Sequence, residues 1–190
     1  MKVTALKDGP VALHRLAPRQ WVLKPQDLAV ALKLVVLGQE RLSYAALGKA
    51  MHLSQFEAHA AVQRLIAAKL AAAVEGRIRP VKEALRRFVV NGAPHVYPPL
   101  RGEVTVGVPT AHGTAPLKEL LAGSSNLPPV WPDPEGEVLG QSLLPLYPGL
   151  PAAAREDPQL HELFALFDAL RIGQARERTL AAKLLEERFT

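Results

Sequence analysis

Apolar residues recur at helical spacing from Pro25, and they predict a first helix that ends at Gly38. Leu28 and Leu32 lie one turn apart on its apolar face. Proline is favoured at the first helical position, and Asp27 in the first turn suits the positive end of the helix dipole. Glycine is a common helix stop, so Gly38 is expected to close this helix.

Residues 42–70, "LSYAALGKAMHLSQFEAHAAVQRLIAAKL", predict two helices rather than one. Ser43 and Ser54 are favourable N-caps, and Gly48 with the out-of-period "MHLS" interrupts the pattern between them. Leu53 in the turn can fill the core, and small alanines should let the helices cross closely, namely Ala45, Ala46 and Ala50. The later helix is expected to bury a broad apolar face made of Phe56, Ala58, Val62, Leu65 and Ile66.

A short hairpin and a fourth helix are predicted next. The segments "LAAAV" and "RIRP" have strand character and are joined by the turn pair Glu75 and Gly76. Pro80 ends the second strand and can begin the helix "VKEALRRFVVNG". Asn91 and Gly92 predict a left-handed C-cap for that helix.

The pattern becomes irregular after Gly92. β-Branched residues separated by proline and glycine predict short strands over residues 93–116, followed by a brief helix in "PLKELLAG". Seven of the 24 residues from Pro128 to Pro151 are proline, which predicts extended, irregular chain. Trp131 and several leucines in this segment indicate that it packs against the rest of the protein.

Two amphipathic helices are predicted at the C-terminal end. The first opens at Asp157-Pro158 and carries an apolar stripe of Leu160, Leu163, Phe164, Phe167 and Leu170. Gly173 ends it, and "QARERTLAAKLLEERF" predicts a last helix. Both stripes need a cover, either within the chain or from a second subunit, and the sequence slightly favours a homodimer.

Composition adds an asymmetry of charge to this outline. The chain is 48% hydrophobic and 22% charged, as is typical of a globular protein, and it has no cysteine for disulfides or thiolate metal sites. Residues 1–100 hold 15 Lys and Arg against 6 Asp and Glu, whereas residues 101–190 hold 8 against 12. The basic first half is suited to a polyanion. Without a signal-peptide pattern or a long apolar run, we expect a cytoplasmic protein with no membrane contact.

Two helices joined by a short turn, the second with a polar outer side, form the pattern of a helix-turn-helix. The segment "LSYAALGKAMHLSQFEAHAAVQRLIAAKLAAAVEGRIRP" also resembles the winged helix-turn-helix of bacterial regulators of the MarR and GntR types. The shared features are a Leu-Ala-Gly helix, "LS" at the turn, Val followed by Arg-Leu, and a leucine before the hairpin. The resemblance spans about residues 25–92, with a shorter wing than is usual in that family.

The C-terminal half is similar to a group of uncharacterised bacterial proteins described only as having a MarR-like winged helix. The similarity lies in "GVPTAHGTAPL", "VWPDPEGEVLGQSLLPLYP" and "DALRIGQARER". It implies one unit of winged helix and tail, and it implies no chemistry.

The family resemblance implies a role for particular residues in binding double-stranded DNA. Base edges would be contacted by Ser54, Gln55, His59 and Gln63. Phosphates would be contacted by Ser43, Tyr44, Lys49, Arg77 and Arg79. Glu57 would accept from a cytosine amino group or lie on the rim of the helix, and Arg64 is assigned to a scaffold contact. No catalytic residue, metal or cofactor is implied.

The predicted fold is therefore mainly α with a small β-wing, in three parts. Residues 1–92 form the winged helix-turn-helix, residues 93–150 a Pro-rich extended segment packed on it, and residues 151–190 a C-terminal helical pair that can dimerise. The predicted function is that of a bacterial transcription regulator that binds specific DNA sequences.

Two other functions remain open. The first is a protein-interaction module, for example an antitoxin-like partner of an enzyme, built on the same scaffold. The second is an enzyme that uses the loop "PTAHGTAP", in which His112 lies between Thr110 and Thr114. A structural turn in which His112 caps a carbonyl is the simpler interpretation of that loop. The histidines are too scattered to predict a metal site.

Overall fold

The computed structural model describes residues 22–121 and 127–189. Helices dominate the described chain, and two small sheets accompany them. The helices are α1 (Pro25–Leu37), α2 (Tyr44–Ala50), α3 (Gln55–Ala67), α4 (Lys82–Arg87), α5 (Ala93–Val96), α6 (Leu117–Leu120), α7 (Leu150–Glu156), α8 (Pro158–Ile172) and α9 (Ala175–Arg188). The strands are β1 (Ala71–Val74), β2 (Arg77–Pro80), β3 (Arg101–Pro109), β4 (Pro129–Pro132) and β5 (Val138–Leu143).

The hairpin of β1 and β2 follows α3 directly, as predicted. The strands are antiparallel, with Val74 opposite Arg77 at the closed end. Glu75 and Gly76 both have positive φ, 51° and 70°, which is the backbone of a two-residue turn that matches the strand twist. The turn pair predicted from sequence is therefore confirmed.

The predicted C-cap at Asn91 and Gly92 is wrong. Gly92 has φ −107°, and the backbone passes through a π-helical turn, Phe88–Gly92, straight into α5. Packing explains the continuation, because Val89 and Ala93 are completely buried. The Tyr97 hydroxyl then donates to the Lys24 carbonyl oxygen at 3.3 Å. The predicted boundary at residue 92 therefore falls inside a packed helical segment.

The proline-rich segment is more regular than predicted, because β4 and β5 join β3 in a small closed sheet. β3 pairs antiparallel with both other strands, and β4 runs parallel to β5. The strands approach so closely that a Cβ on Gly107 would lie 2.0 Å from the Trp131 carbonyl oxygen. The prolines of β4 stand at its two ends, Pro129 and Pro132, where a missing N–H is tolerated.

A buried carboxylate joins this sheet to α8. Asp168 accepts hydrogen bonds from the Thr110 hydroxyl at 2.8 Å and from the Trp131 indole N–H at 2.7 Å. Burial raises the pKa of Asp168, although the Arg171 guanidinium, 3.4 Å away, opposes this. Three chain segments thus meet at one polar point in the core.

The apolar stripe of α8 is covered within the chain. Leu160, Phe164 and Phe167 are completely buried, and α8 packs against α9, α7 and α1. The expectation that a second subunit covers this stripe is therefore wrong, and the intramolecular alternative holds for α8. In residues 22–121 and 127–189, every helix is too short or too polar to cross a lipid bilayer.

A buried ion pair fixes α3 against α1. The Asp27 carboxylate is 0% exposed and receives two bonds from Arg64, Nε to Oδ2 and Nη2 to Oδ1, each 2.6 Å. Asp27 also accepts the Lys24 backbone N–H at 2.8 Å, which caps α1. The scaffold role predicted for Arg64 is confirmed.

Asp27→Asn should destabilise the protein by about 3–5 kcal/mol, because it leaves the Arg64 cation buried without a counter-charge. Urea unfolding followed by circular dichroism measures the change. Glu83→Gln is the matched control, since Glu83 is an exposed carboxylate paired with Arg86 and Arg87. A loss of stability no larger for Asp27→Asn than for Glu83→Gln would contradict the role given to the buried pair.

Candidate nucleic-acid interface

The joint between α2 and α3 depends on Gly48. A Cβ at this position would lie 2.8 Å from the Leu53 carbonyl oxygen, and the Leu53 N–H donates to the Gly48 carbonyl at 2.8 Å. The turn thus folds back directly on α2. The prediction that the alanines make the crossing is wrong in part, since Ala45 is exposed while Leu47, Gly48 and Met51 are buried.

The N-terminus of α3 is closed by a reciprocal cap between Ser54 and Glu57. The Ser54 hydroxyl accepts the Glu57 backbone N–H at 3.1 Å and donates to the Glu57 carboxylate at 2.7 Å. The same carboxylate accepts the Ser54 backbone N–H at 2.9 Å. These hydrogen bonds from Ser54 lower the pKa of Glu57.

The cap changes two of the predicted roles. Ser54 was expected to contact base edges, but its hydroxyl is already engaged as donor and as acceptor. Only its second lone pair is left for a base edge, and its assignment as a base-reading residue stays a prediction. Glu57 belongs to the cap as well. Two roles were predicted for it, contact with cytosine and a position on the rim of the helix, and the cap fits the second.

The outer face of α3 carries three of the four residues predicted to read bases. Gln55, His59 and Gln63 are exposed, whereas the opposite face is buried in the core through Ala58, Ala61, Val62 and Leu65. Phe56 was predicted to belong to the buried face and is instead 78% exposed. At 100° per residue it points away from the buried set, so the helical period itself places it outside.

A cleft of about 610 Å³ unites residues from the two predicted sets. It lies between the end of α1, the start of α2, the start of α3 and the hairpin. Its polar lining includes Ser43, Tyr44, Gln55 and Arg77. His59 borders this group, because its ring packs edge-on against Tyr44 with centroids 4.8 Å apart.

Three other predicted residues lie around this cleft, and Ser43, which lines it, keeps a free donor. Lys49 is exposed near the end of α2, Arg79 is half-buried on β2, and Gln63 lies two turns along α3 from Gln55. The Ser43 hydroxyl accepts the Ala46 backbone N–H at 3.1 Å, so its own hydrogen is free to donate. The geometry is compatible with each of these four assignments.

The basic residues of the first half divide into paired and unpaired groups. Arg64 is held by Asp27, and Arg86 and Arg87 are held by Glu83. Within the described ranges, no ion pair engages the three cations predicted to contact phosphates, Lys49, Arg77 and Arg79. Their charges are therefore available to a ligand.

The C-terminal half supports the turn between α2 and α3. The Tyr147 hydroxyl donates to the Met51 carbonyl at 2.8 Å, and His52 Nε2 lies 3.0 Å from the Glu156 carboxylate. Burial raises the pKa of the Tyr147 phenol. These contacts were missed in the sequence because about 100 residues separate the partners and no local pattern signals them.

The loop around His112 does not pair the imidazole with the Thr110 hydroxyl, whereas Thr114 shares a cleft of about 630 Å³ with His112. Thr110 is buried and its hydroxyl is committed to Asp168. His112 Nδ1 is buried without a hydrogen-bond partner, and the nearest carboxylate, that of Glu177, is 3.6 Å away. The expected carbonyl cap by His112 is wrong too. No three potential metal-binding side chains cluster anywhere in the described part of the chain.

Comparison with protein-family models, with curated proteins and with solved structures found no match for this chain. Its function therefore has to be inferred from its own residues and contacts.

Glu57→Gln should lower stability at neutral pH and make little difference in acid. The pKa of Glu57 is lowered in the folded state from 4.5, so the stabilisation by its carboxylate is present above pH 4.5. That stabilisation is lost as the pH falls through the lowered value. Urea unfolding of both proteins between pH 7 and pH 3 measures the difference. Glu75→Gln, at an exposed carboxylate in the hairpin turn, should show no such convergence, and parallel profiles for Glu57→Gln would refute the cap's contribution.

Proposed function

We propose that this chain binds specific sequences of double-stranded DNA through a winged helix-turn-helix, as a bacterial transcription regulator. In this proposal α2 and α3 are the helix-turn-helix, α3 lies in the major groove, and the β1–β2 hairpin is the wing. The observation that carries the proposal is a cleft with a shared polar lining. Ser43 and Tyr44 at the start of α2, Gln55 of α3 and Arg77 of the hairpin all line it. Residues of both predicted roles thus meet on one surface.

Phosphate binding is assigned to the flanks of this surface. Three cations carry unpaired positive charge among the described residues, namely Lys49, Arg77 and Arg79. When they neutralise phosphates, counterions leave the DNA, and this favours binding at low salt. The Ser43 hydroxyl has a free hydrogen for a phosphate oxygen. The Tyr44 hydroxyl is the second neutral donor proposed on α2. These contacts would set the position of α3 without reading sequence.

Base reading is assigned to the amide and imidazole groups on the outer face of α3. Gln55 and Gln63 each offer one donor and one acceptor, which matches the N7 and N6 edge of adenine. The edge-on contact with Tyr44 limits the ring positions of His59. Gln55 and Gln63 are eight residues apart, about 12 Å along the helix, so they would read different base pairs.

A homodimer on a palindromic site is part of this proposal. Two copies related by a two-fold axis would place their α3 helices about 34 Å apart, one turn of DNA. Because the α8 stripe is buried within the chain, the dimer needs another surface. Analytical ultracentrifugation with and without a palindromic duplex tests this, and a monomer bound one per duplex would contradict it.

A protein-interaction module is the second candidate, and one observation favours it. Arg64, the one Lys or Arg of α3, is held by Asp27, while the exposed Phe56 gives the outer face of this helix an apolar site. A stable complex with a partner protein, isolated from a chain with no affinity for DNA, would support this function in place of DNA binding.

The double variant Arg77→Ala with Arg79→Ala should weaken binding to every duplex and reduce the salt slope of log K by about two for each bound subunit. Fluorescence anisotropy with a panel of labelled duplexes at 50–300 mM salt measures both effects. The control is Arg176→Ala with Lys183→Ala, which removes equal charge from exposed positions on α9. If the two double variants behave alike, the hairpin does not contact phosphates.

Gln55→Ala and Gln63→Ala should each relax preference at one base pair while leaving the salt slope unchanged. A bidentate amide–adenine pair accounts for about 1–3 kcal/mol of discrimination between bases. Selection from a random duplex library, done with wild type and each variant, measures the preference at every position. If all three proteins select identical sites, the placement of α3 in the major groove is contradicted.

A further inference from the structure

Phe56 is the most exposed of the large apolar side chains in the described ranges, at 78%. It lies in the first turn of α3, on the side opposite the buried residues. The helical period puts Ala60 one turn and Gln63 two turns further along the same stripe. The ring therefore lies on the outer face of α3, on the same stripe as Gln63 and beside the other residues proposed to enter the groove.

The backbone that carries Phe56 is held firmly. Ser54 and Glu57, on either side of it, form the reciprocal cap, and the Ala58 N–H donates to the Ser54 carbonyl at 3.0 Å. Ala58 is completely buried in the core. An apolar ring on a fixed backbone is a preorganised contact, because little conformational freedom is lost when a ligand covers it.

The major groove offers one apolar group to such a ring. Base edges there present donors and acceptors, apart from the C5-methyl group of thymine. A phenyl ring gains free energy by covering a methyl group and loses it by covering an unpaired polar edge. The ring is also adjacent in the chain to Gln55, whose amide suits adenine, the base that pairs with thymine.

We propose that Phe56 is a specificity-determining residue that packs on the C5-methyl group of a pyrimidine in the major groove, next to the base pair read by Gln55. This inference rests on the proposed DNA binding. Thymine supplies the methyl group in ordinary DNA, and 5-methylcytosine presents the same group at the same position. The two sources are separated by experiment.

The experiment uses the full chain and the duplex selected by wild-type protein. Each thymine is replaced singly by deoxyuracil, which removes the C5-methyl group and keeps base pairing. Binding should weaken about fourfold at one thymine per half-site, the value of one methyl group removed from contact. In a parallel arm, each cytosine is replaced by 5-methylcytosine, and a gain in affinity there, without loss at any thymine, assigns the methyl group to methylated DNA.

Phe56→Ala separates a methyl contact from a general effect. This variant should bind the unmodified duplex about as weakly as wild type binds a duplex with deoxyuracil at that thymine in both half-sites. Deoxyuracil should then make no further difference to the variant. Its salt slope should equal that of wild type, because no phosphate contact is lost. Phe56→Leu, which keeps an apolar side chain, should retain part of the methyl dependence.

Failure of this inference differs from failure of DNA binding. Sequence-specific binding by wild type with no response to methyl removal or addition would overturn the role of Phe56 and leave the proposed function intact. The same methyl dependence in wild type and Phe56→Ala would do so too. Absence of binding to every duplex overturns both, and a protein complex that is lost in Phe56→Ala would then identify the ring as a protein contact.

Discussion

The buried pair of Asp27 and Arg64 determines how the rest of the surface is presented. Both oxygens of Asp27 are used by Arg64, and Oδ2 also caps α1. The pair therefore fixes the rotation of α3 about its own axis, with Arg64 on the inner side and the stripe of Phe56 and Gln63 on the outer side. The pKa of the Tyr97 phenol is raised to about 12, first by burial and second by the Asp27 carboxylate.

Because Arg64 is committed to the core, the outer face of α3 carries no Lys or Arg, and positive charge lies on the neighbouring elements. This separates two tasks in the proposed mechanism, since Lys49 and the hairpin arginines supply attraction while α3 supplies discrimination. The C-terminal half takes part indirectly. Tyr147 and Glu156 hold the turn that precedes α3, and Asp168 of α8 anchors the closed sheet. Buried residues of both halves of the chain belong to one hydrophobic core.

The elements around the candidate site were predictable because their signals are local. Helical period, serine caps and the Glu75-Gly76 turn predict α1, α2, α3 and the hairpin, and they leave Arg64 on the inner side. Long-range packing was not predictable. Burial of Val89 and Ala93 overrides the stop signal at Gly92, and pairing with β3 orders the proline-rich strands. Phe56 was misassigned for a different reason: its apolar character was followed, whereas its angle around the helix places it outside.

Binding of DNA through α3 is tested most directly by locating the protein surface that contacts DNA. Amide chemical shifts of the isotopically labelled full chain, followed by NMR during titration with the selected duplex, report that location residue by residue. If α3 lies in the major groove, the changes should be concentrated at the start of α2, in the first two turns of α3 and at the tip of the hairpin around Arg77. Changes concentrated in residues 101–189, with α3 unaffected at saturating duplex, would contradict it.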